Sequence, residues 1–499
     1  MTFPSVKERY LQGAPIDLGT RAGLLIDDWL VEDRFNVERQ LNAPLKHVHN
    51  PLVIRDKPWE AGGVKRPSVL YDPDDGLFRM WYTIAPVTLD EEERLKRIGR
   101  WDPARAGQSR VVAYAESEDG IAWRKPPVGQ PYIGHAKTNV VMTGEHRTAC
   151  SAHVTPNHPS SGQPGKFMMS YADWDPERGR SLYLAYSDDG IAWRRDPANP
   201  VLSPIRDTKH NFCYDEEYGR WLLYTRPIVT AGTREHAAFT GAHENRNFGR
   251  RAAVAIGDTP QTMGFPRALG WPNEQEPPDY DDFLVQRVGS HYLAMISGMF
   301  NPLPYNAQVY LASSPDGLHW NRLPGSPPFI PLGREGDFDA GQACTVGNII
   351  AVGDEYYLYY QGTPRPQKVA DNDANIGQAR IRRDRFVCQR AGADGGYLLT
   401  REVIVSGRYL LVNMTLPVSA GGRMNEVRFA AELLRSHNTG QPGVVEGYGM
   451  AACTTRATDS LEVLIEWEQG FDLGALLGQP VMIRFFLRDV GLYSFRFAS

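Results

Sequence analysis

Carboxylates recur just ahead of several aromatic strand segments in this 499-residue chain. Glu60 precedes SVLYDPDDGLFRMWYT, Asp207 precedes NFCYDEEYGRWLLYTR, Asp282 adjoins FLVQRVGSHYLAMISG, and Asp339 precedes ACTVGNIIAVGDEYYLYYQG. Two carboxyls held close together, one protonated and one ionised, can serve as general acid and as base or nucleophile. Cations and polar groups share these approaches: Lys65 and Arg66, His146 and Arg147, Lys209, His210 and Asn211, with Gln342 on the last. Further acids lie beside them at Asp279, Asp281, Glu335 and Asp337. Arg226 stands at the end of a strand, and Trp59 offers a flat apolar face. Taken singly, such an acid is more often a turn former; recurrence at one place in successive units is what makes these candidates.

The elements that would position them come from two interleaved repeats. Ala115 to Trp123, Ala185 to Trp193 and Ala312 to Trp320 share A-x-S-x-D-G-[IL]-x-W. Each reads as a strand, an Asp-Gly turn and a Trp opening the next strand. A weaker copy at Ala255 to Thr259 gives Asp119, Asp189, Asp258 and Asp316 spacings of 70, 69 and 58 residues. The second repeat is the aromatic hairpin already quoted. Counting the longer-turned SAHVTPNHPSSGQPGKFMMSYAD, it occurs five times. Five such units predict an all-β, five-bladed propeller whose innermost strands start around one central pocket. Trp123, Trp193 and Trp320 are then scaffold, expected to be buried at blade edges.

From about residue 390 the pattern changes. YLLTREVIVSGRYLLVNM, VRFAAELL, LEVLIEW and VMIRFFLRDVGLYSFRF alternate like the strands of a β-sandwich. The reading therefore divides the chain into an N-terminal segment, 1–34, packing on or closing the propeller, a propeller, 35–389, and a sandwich, 390–499, with ARIRRDRFVCQRA as the last outer propeller strand.

Composition narrows the function. A net charge of −5 with no Lys/Arg run argues against nucleic acid or anionic lipid as a partner. No stretch is apolar enough to span a membrane, and the N-terminus has no apolar leader. Five dispersed cysteines without a C-x-x-C pair suit reduced thiols and a cytoplasmic setting. No phosphate loop, G-x-S-x-G elbow, dinucleotide fingerprint or H-x-x-x-H pair is in place, so neither a cofactor nor a catalytic metal is expected, and a structural ion in the tunnel is left open. Homo-oligomerisation is left open.

The S-x-D-G-x-x-W hairpins, five aromatic units and terminal sandwich resemble the invertase-like and arabinanase-like glycoside hydrolases, families 32 and 43. LLIDDWLVE, NPLVIRDKPWE and LRDVGLYSFRF look like bacterial family-32-like proteins of unassigned activity. Invertases carry W-M-N-D-P-N-G on the first blade; here that place reads Lys65-Arg66-Pro67-Ser68-Val69, without an acid. The resemblance implies glycoside hydrolysis by two pocket carboxylates, exo-acting on a small oligosaccharide or a furanoside such as a fructoside or arabinofuranoside. It implies Glu60 as nucleophile or base, Asp207 or Asp282 as acid, and Asp339 as a hydroxyl-holding or pKa-tuning group. Trp59, Arg66, Arg147, His210, Arg226, Asp337 and Gln342 would then bind substrate, the cations meeting an anionic substituent. A non-hydrolytic sugar-binding propeller and a glycoside phosphorylase are the alternatives.

Overall fold

The computed structural model describes residues 6–102, 109–227, 250–270, 272–300, 305–366, 373–416, 427–436 and 443–499. Five antiparallel blades surround one axis. Blade one is Val64–Asp72, Leu77–Ile84, Val111–Ser117 and Val140–Met142; blade two is Cys150–Pro156, Phe167–Asp175, Gly179–Ser187 and Arg194–Arg195. Blade three is Asn211–Asp215, Arg220–Thr225, Ala252–Gly257 and Arg267–Gly270. Blade four is Asp279–Val288, His291–Met299, Ala307–Ser314 and Asn321–Arg322. In blade five, Gln342–Cys344 and Ile349–Val352 together form the inner strand, followed by Glu355–Thr363 and Asn375–Arg382.

The fourth strand of blade five comes from the other end of the propeller. Leu45–Lys46 pairs with Arg380 and Ala379. A blade left with three strands would expose an unpaired edge, and this pairing covers it. Asp339 locks the closure: its carboxylate accepts from Lys46 Nζ at 2.6 Å and from the Tyr360 hydroxyl at 2.8 Å.

The Asp-Gly repeat latches blades one, two and four each to the blade before it. In blades one, two and four the Asp119, Asp189 and Asp316 carboxylates each accept two turn amides and a serine hydroxyl. The following glycine takes a positive φ of 71°, 78° or 73°. Its carbonyl accepts from Tyr359 at 2.6 Å, Trp81 at 2.7 Å or Tyr224 at 3.0 Å, each on the preceding blade. Trp123, Trp193 and Trp320 pack edge-on against those same three rings. They are half-buried rather than enclosed, because each covers its turn from the solvent side.

A methyl group on Gly190 would lie 2.5 Å from Trp81 Cζ2. Gly190→Ala therefore combines left-handed strain with overpacking and should cost about 2–4 kcal/mol in chemical denaturation. Gly219→Ala is the control. Its φ is also positive, but the nearest atom is 3.8 Å away, so only about 1–2 kcal/mol is expected. Equal losses at the two sites would contradict the latch.

The innermost strands are broken at a common level. Register shifts occur between Lys65 and Ser68 in blade one and between Tyr280 and Phe283 in blade four. Arg66, Ser151 and Thr345 hold positive φ of 54°, 53° and 50° in blades one, two and five. A bulge re-aims the side chains beside it, and a non-glycine residue in this region stores about 1–3 kcal/mol. Strain repeated around the axis marks the level where side chains are turned towards the pocket.

Two further sheets form the sandwich. One orders Glu38–Leu41, Val387–Ala391, Val490–Ala498, Tyr409–Thr415 and Ser460–Leu464, with Gly23–Leu24 added on Val490–Ala498. The other joins Val31–Phe35, Gly396–Thr400, Pro480–Arg488 and Val403–Ile404, with Arg428–Arg435 on Pro480–Arg488. Leu25, Trp29, Leu433, Ile483, Phe485 and Phe495 fill the space between. The expected last outer strand, ARIRRDRFVCQRA, is thus split: Asn375–Arg382 stays in blade five, while Val387–Ala391 crosses to the sandwich. The strands of the N-terminal segment also pair with the sandwich, while Asp27 ties that segment to blade four through Ser313 at 2.6 Å and Asn321 at 3.0 Å.

Candidate active site

In an antiparallel blade the first strand starts, the second ends and the third starts at the same end of the axis. Side chains from all three positions therefore meet at one mouth. Blade one brings Lys65, Arg66 and Arg110 there; blade two brings Arg180; blade three brings Asp207, Lys209, Arg226 and Arg250; blade four brings Asp279, Asp281 and Asp282.

Arg66 and Asp282 form the centre. One Arg66 nitrogen reaches both Asp282 oxygens, at 2.9 and 3.1 Å. Asp282 also accepts from the Thr208 hydroxyl at 2.9 Å, the Lys209 amide at 2.9 Å and the Thr345 hydroxyl at 2.7 Å. Burial opposes its charge, but Arg66 and these donors outweigh burial and hold the carboxyl well below the usual carboxylate range. Asp281 is gripped by three guanidiniums, from Arg250 at 2.9 Å, Arg226 at 3.0 Å and Arg66 at 3.6 Å.

Asp207 differs from both. Its side chain is 69% exposed, and it touches Arg180 at 3.1 Å. Its crowded position would raise its pKa, but Arg180, Arg66, Arg226 and Arg110 more than offset that and hold it ionised well below the ordinary range. Lys65 is pushed down to about 8, first by burial and then by Arg110, with Glu92 acting against. Among the described residues at this mouth the cations outnumber the carboxylates, so the pocket is electropositive in a protein of net charge −5.

The residues singled out in the sequence divide sharply here. Arg66, Asp207, Arg226 and Asp282 do converge, but Asp282 is fully enclosed and every oxygen is bonded, so it anchors Arg66 instead of meeting a substrate. Glu60 is elsewhere and also fully enclosed. It accepts from Tyr82 at 2.9 Å, Lys125 at 2.7 Å and the amides of Asp56 and Lys57, which makes it the keystone of the turn Pro58–Glu60. Asp339 is 2% exposed and spent on the closure with Lys46. Trp59 is buried, donating to Asn139 at 2.9 Å and packing on His135, so no sugar can stack on it.

His210 is buried against Thr225 at 2.8 Å and is pushed down to about 3, chiefly by burial, so it stays neutral. Gln342 is buried at the edge between blades four and five. Arg147 is exposed and lies over Trp174 with a centroid distance of 5.1 Å. Asp337 is exposed and accepts the Arg334 amide at 2.7 Å, as a turn former does. Among the described residues, no group of three His, Cys, Asp or Glu side chains is placed to hold a metal ion, and no helix is long and apolar enough to cross a membrane.

No protein-family profile matches this chain, and no curated protein matches it. Solved structures do. An N-acetylgalactosamine deacetylase from F. plautii, in complex with blood group B trisaccharide, is 14% identical with a TM-score of 0.46, covering 70% of this chain and 96% of its own. A β-1,2-mannobiose phosphorylase from Listeria innocua is 14% identical at 0.45, covering 68% and 96%. A thermostable family-43 glycoside hydrolase is 14% identical at 0.43, covering 66% and 93%.

Sequence reasoning missed Arg110, Arg180 and Arg250. Each lies at the start of a third strand, whereas the sequence pattern points to the approaches to innermost strands and to the strand end at Arg226. The signal was available, since in an up-and-down blade those starts face the same mouth. What this mouth can do follows from its charges. Among the described residues it presents one reachable carboxylate, Asp207, ionised while the site is empty, inside a fork of guanidiniums suited to a planar or tetrahedral anion.

Proposed function

We propose that this chain is a glycoside-cleaving enzyme acting at the strand-start mouth of the propeller, with Asp207 as the reacting carboxylate and an anionic group bound by Arg66, Arg110, Arg180 and Arg226. The supporting observation is the exposed Asp207 set within those four cations. The anion is either a substituent of the sugar, such as a uronate, or an inorganic oxyanion that accepts the glycosyl group.

In the empty site Asp207 is ionised, the form a base or nucleophile needs. An anion bound on the guanidiniums would take up much of their charge and let Asp207 bind a proton, the form an acid needs. Hydrolysis of an anionic glycoside and phosphorolysis both place an anion on the guanidiniums, so in both Asp207 would work from this second form, as the acid. One observation favours phosphorolysis. Asp281, Asp282, Asp279 and Glu92, the carboxylates bonded to Arg66, Arg110, Arg226 and Arg250, are all largely enclosed. Hydrolysis calls for two working carboxyls, whereas phosphate brings its own nucleophilic oxygen.

A panel of neutral glycosides and uronides, assayed with and without inorganic phosphate, tests the reading. Release of a sugar phosphate, or cleavage confined to uronides, is the expected result. Cleavage of neutral glycosides at a rate indifferent to phosphate would count against the bound anion.

A further inference from the structure

The opposite mouth of the central channel holds a cavity of about 490 Å³ that all five blades line. It lies where the innermost strands run on, past Ser68, His153 and Asn211 to Leu70, Thr155 and Cys213. Lys209 divides it from the other mouth. Its buried ammonium donates to the Pro67 carbonyl at 2.5 Å and to the Ser68 hydroxyl at 3.2 Å, bridging blade three to blade one.

Among the described residues, the polar groups of this cavity are matched with three exceptions, His153 Nε2, Thr155 Oγ1 and Arg287 Nε. Asn348 is spent on the Val69 amide and the Val154 carbonyl, and Gln286 on both backbone groups of Ile349. His153 Nε2, Thr155 Oγ1 and Arg287 Nε are buried without a hydrogen-bond partner, and the Gly347 carbonyl lies near enough to the His153 ring to favour its protonated form. His153 is 2% exposed. The tautomer follows from its neighbour. Asn211 Oδ1 takes the Val285 amide at 2.7 Å, which turns the Asn211 amino group to His153 Nδ1 at 3.4 Å. Nδ1 is thus the acceptor, and Nε2 carries the proton. Burial keeps the ring neutral, pushing it down to about 3, and Lys209 adds to this.

His153 and Thr155 stand two residues apart on one strand, so they face the same way about 7 Å apart. An unmatched N–H and an unmatched hydroxyl at that spacing call for a ligand with several hydroxyls, which both donate and accept. Among the described residues no carboxylate lines the cavity, and the Arg287 guanidinium lies over Tyr292 at 5.2 Å and faces Glu217 at 3.8 Å with its Nε unmatched, so a neutral hydroxyl can serve it as acceptor. Apolar walls such as Leu70, with the stacked rings of His158 and Tyr214 at 3.8 Å, suit the C–H face of a sugar ring.

We propose that this cavity is a second binding site, distinct from the Asp207 mouth, for a neutral polyhydroxylated ligand of one or two sugar rings. The proposal stands independently of the reading of Asp207. Isothermal titration of the full chain with glucose, mannose, arabinose and myo-inositol tests it. At least one should bind saturably to the native protein and equally to Asp207→Asn. Affinity should fall about tenfold or more in Thr155→Val, a near-isosteric change, and in His153→Phe, which also fills the cavity. Should His153→Phe fail to fold, Thr155→Val decides alone. No saturable binding by any of the four would overturn the proposal. So would binding unchanged in Thr155→Val, or binding abolished by Asp207→Asn, which would place the sugar at the other mouth.

Discussion

Asp207→Asn should lower turnover by about 10²- to 10⁴-fold while leaving the melting temperature within a degree or so of native. The stability half follows from exposure. The side chain is 69% exposed, and its one close partner, Arg180, is itself partly solvated, so their pairing contributes little to the fold. The activity half follows from its being the reachable carboxylate amid the four guanidiniums. Its folded-state pKa is depressed, so the ionised form persists as pH falls and is lost only below the ordinary carboxylate range. With Asp207 ionised in the free enzyme and needed as the acid once the anion is bound, kcat/KM should rise as pH falls from neutrality towards about pH 4–5. Undiminished turnover in the variant, measured on any substrate the native enzyme cleaves, would remove Asp207 from the chemistry.

Asp282→Ala should do the reverse and cost about 3–5 kcal/mol of stability. Five donor contacts end on this carboxylate, and those from Thr208, Lys209 and Thr345 come from buried residues. Without it the Arg66 guanidinium keeps only Asp281, at 3.6 Å, and the Thr208 and Thr345 hydroxyls lose their acceptor. Arg66 already sits at a strained φ of 54°, so the loss should also release the residue that sets the pocket's charge. Urea denaturation of native and variant protein reads the cost directly. A loss under about 1 kcal/mol would mean that Asp282 is no anchor and would reopen it as a catalytic group.

The blades were legible in the sequence because their latch leaves a mark in residue types. A turn with φ near 70–80° and an aromatic ring pressed on it needs Gly120, Gly190 and Gly317, and the Asp and Trp around them follow. The closing strand left no such mark. Leu45–Lys46 is two residues long, and only the structure shows it paired with Ala379 and Arg380. Blade three shows no full copy of the repeat, and it was found through its aromatic hairpin instead.

The site was legible only in part, because position along the chain says where a carboxylate starts but not what it meets. Glu60, Asp207, Asp282 and Asp339 look equivalent on paper. In space Glu60 is claimed by Lys125, 65 residues on, and Asp339 by Lys46, 293 residues back. Partners that distant cannot be read from local pattern. Arg66 and Arg226 were recognised because they flank inner-strand hairpins; Arg110, Arg180 and Arg250 were missed for want of counting third-strand starts.

The most direct test of the central claim is a crystal structure of the protein with glucuronate or inorganic phosphate bound. The anion should lie at the strand-start mouth, within hydrogen-bonding distance of at least two of Arg66, Arg110, Arg180 and Arg226 and beside the Asp207 carboxyl. A mouth left empty of both anions at saturating concentration, or either of them bound only on the outer surface, would contradict it.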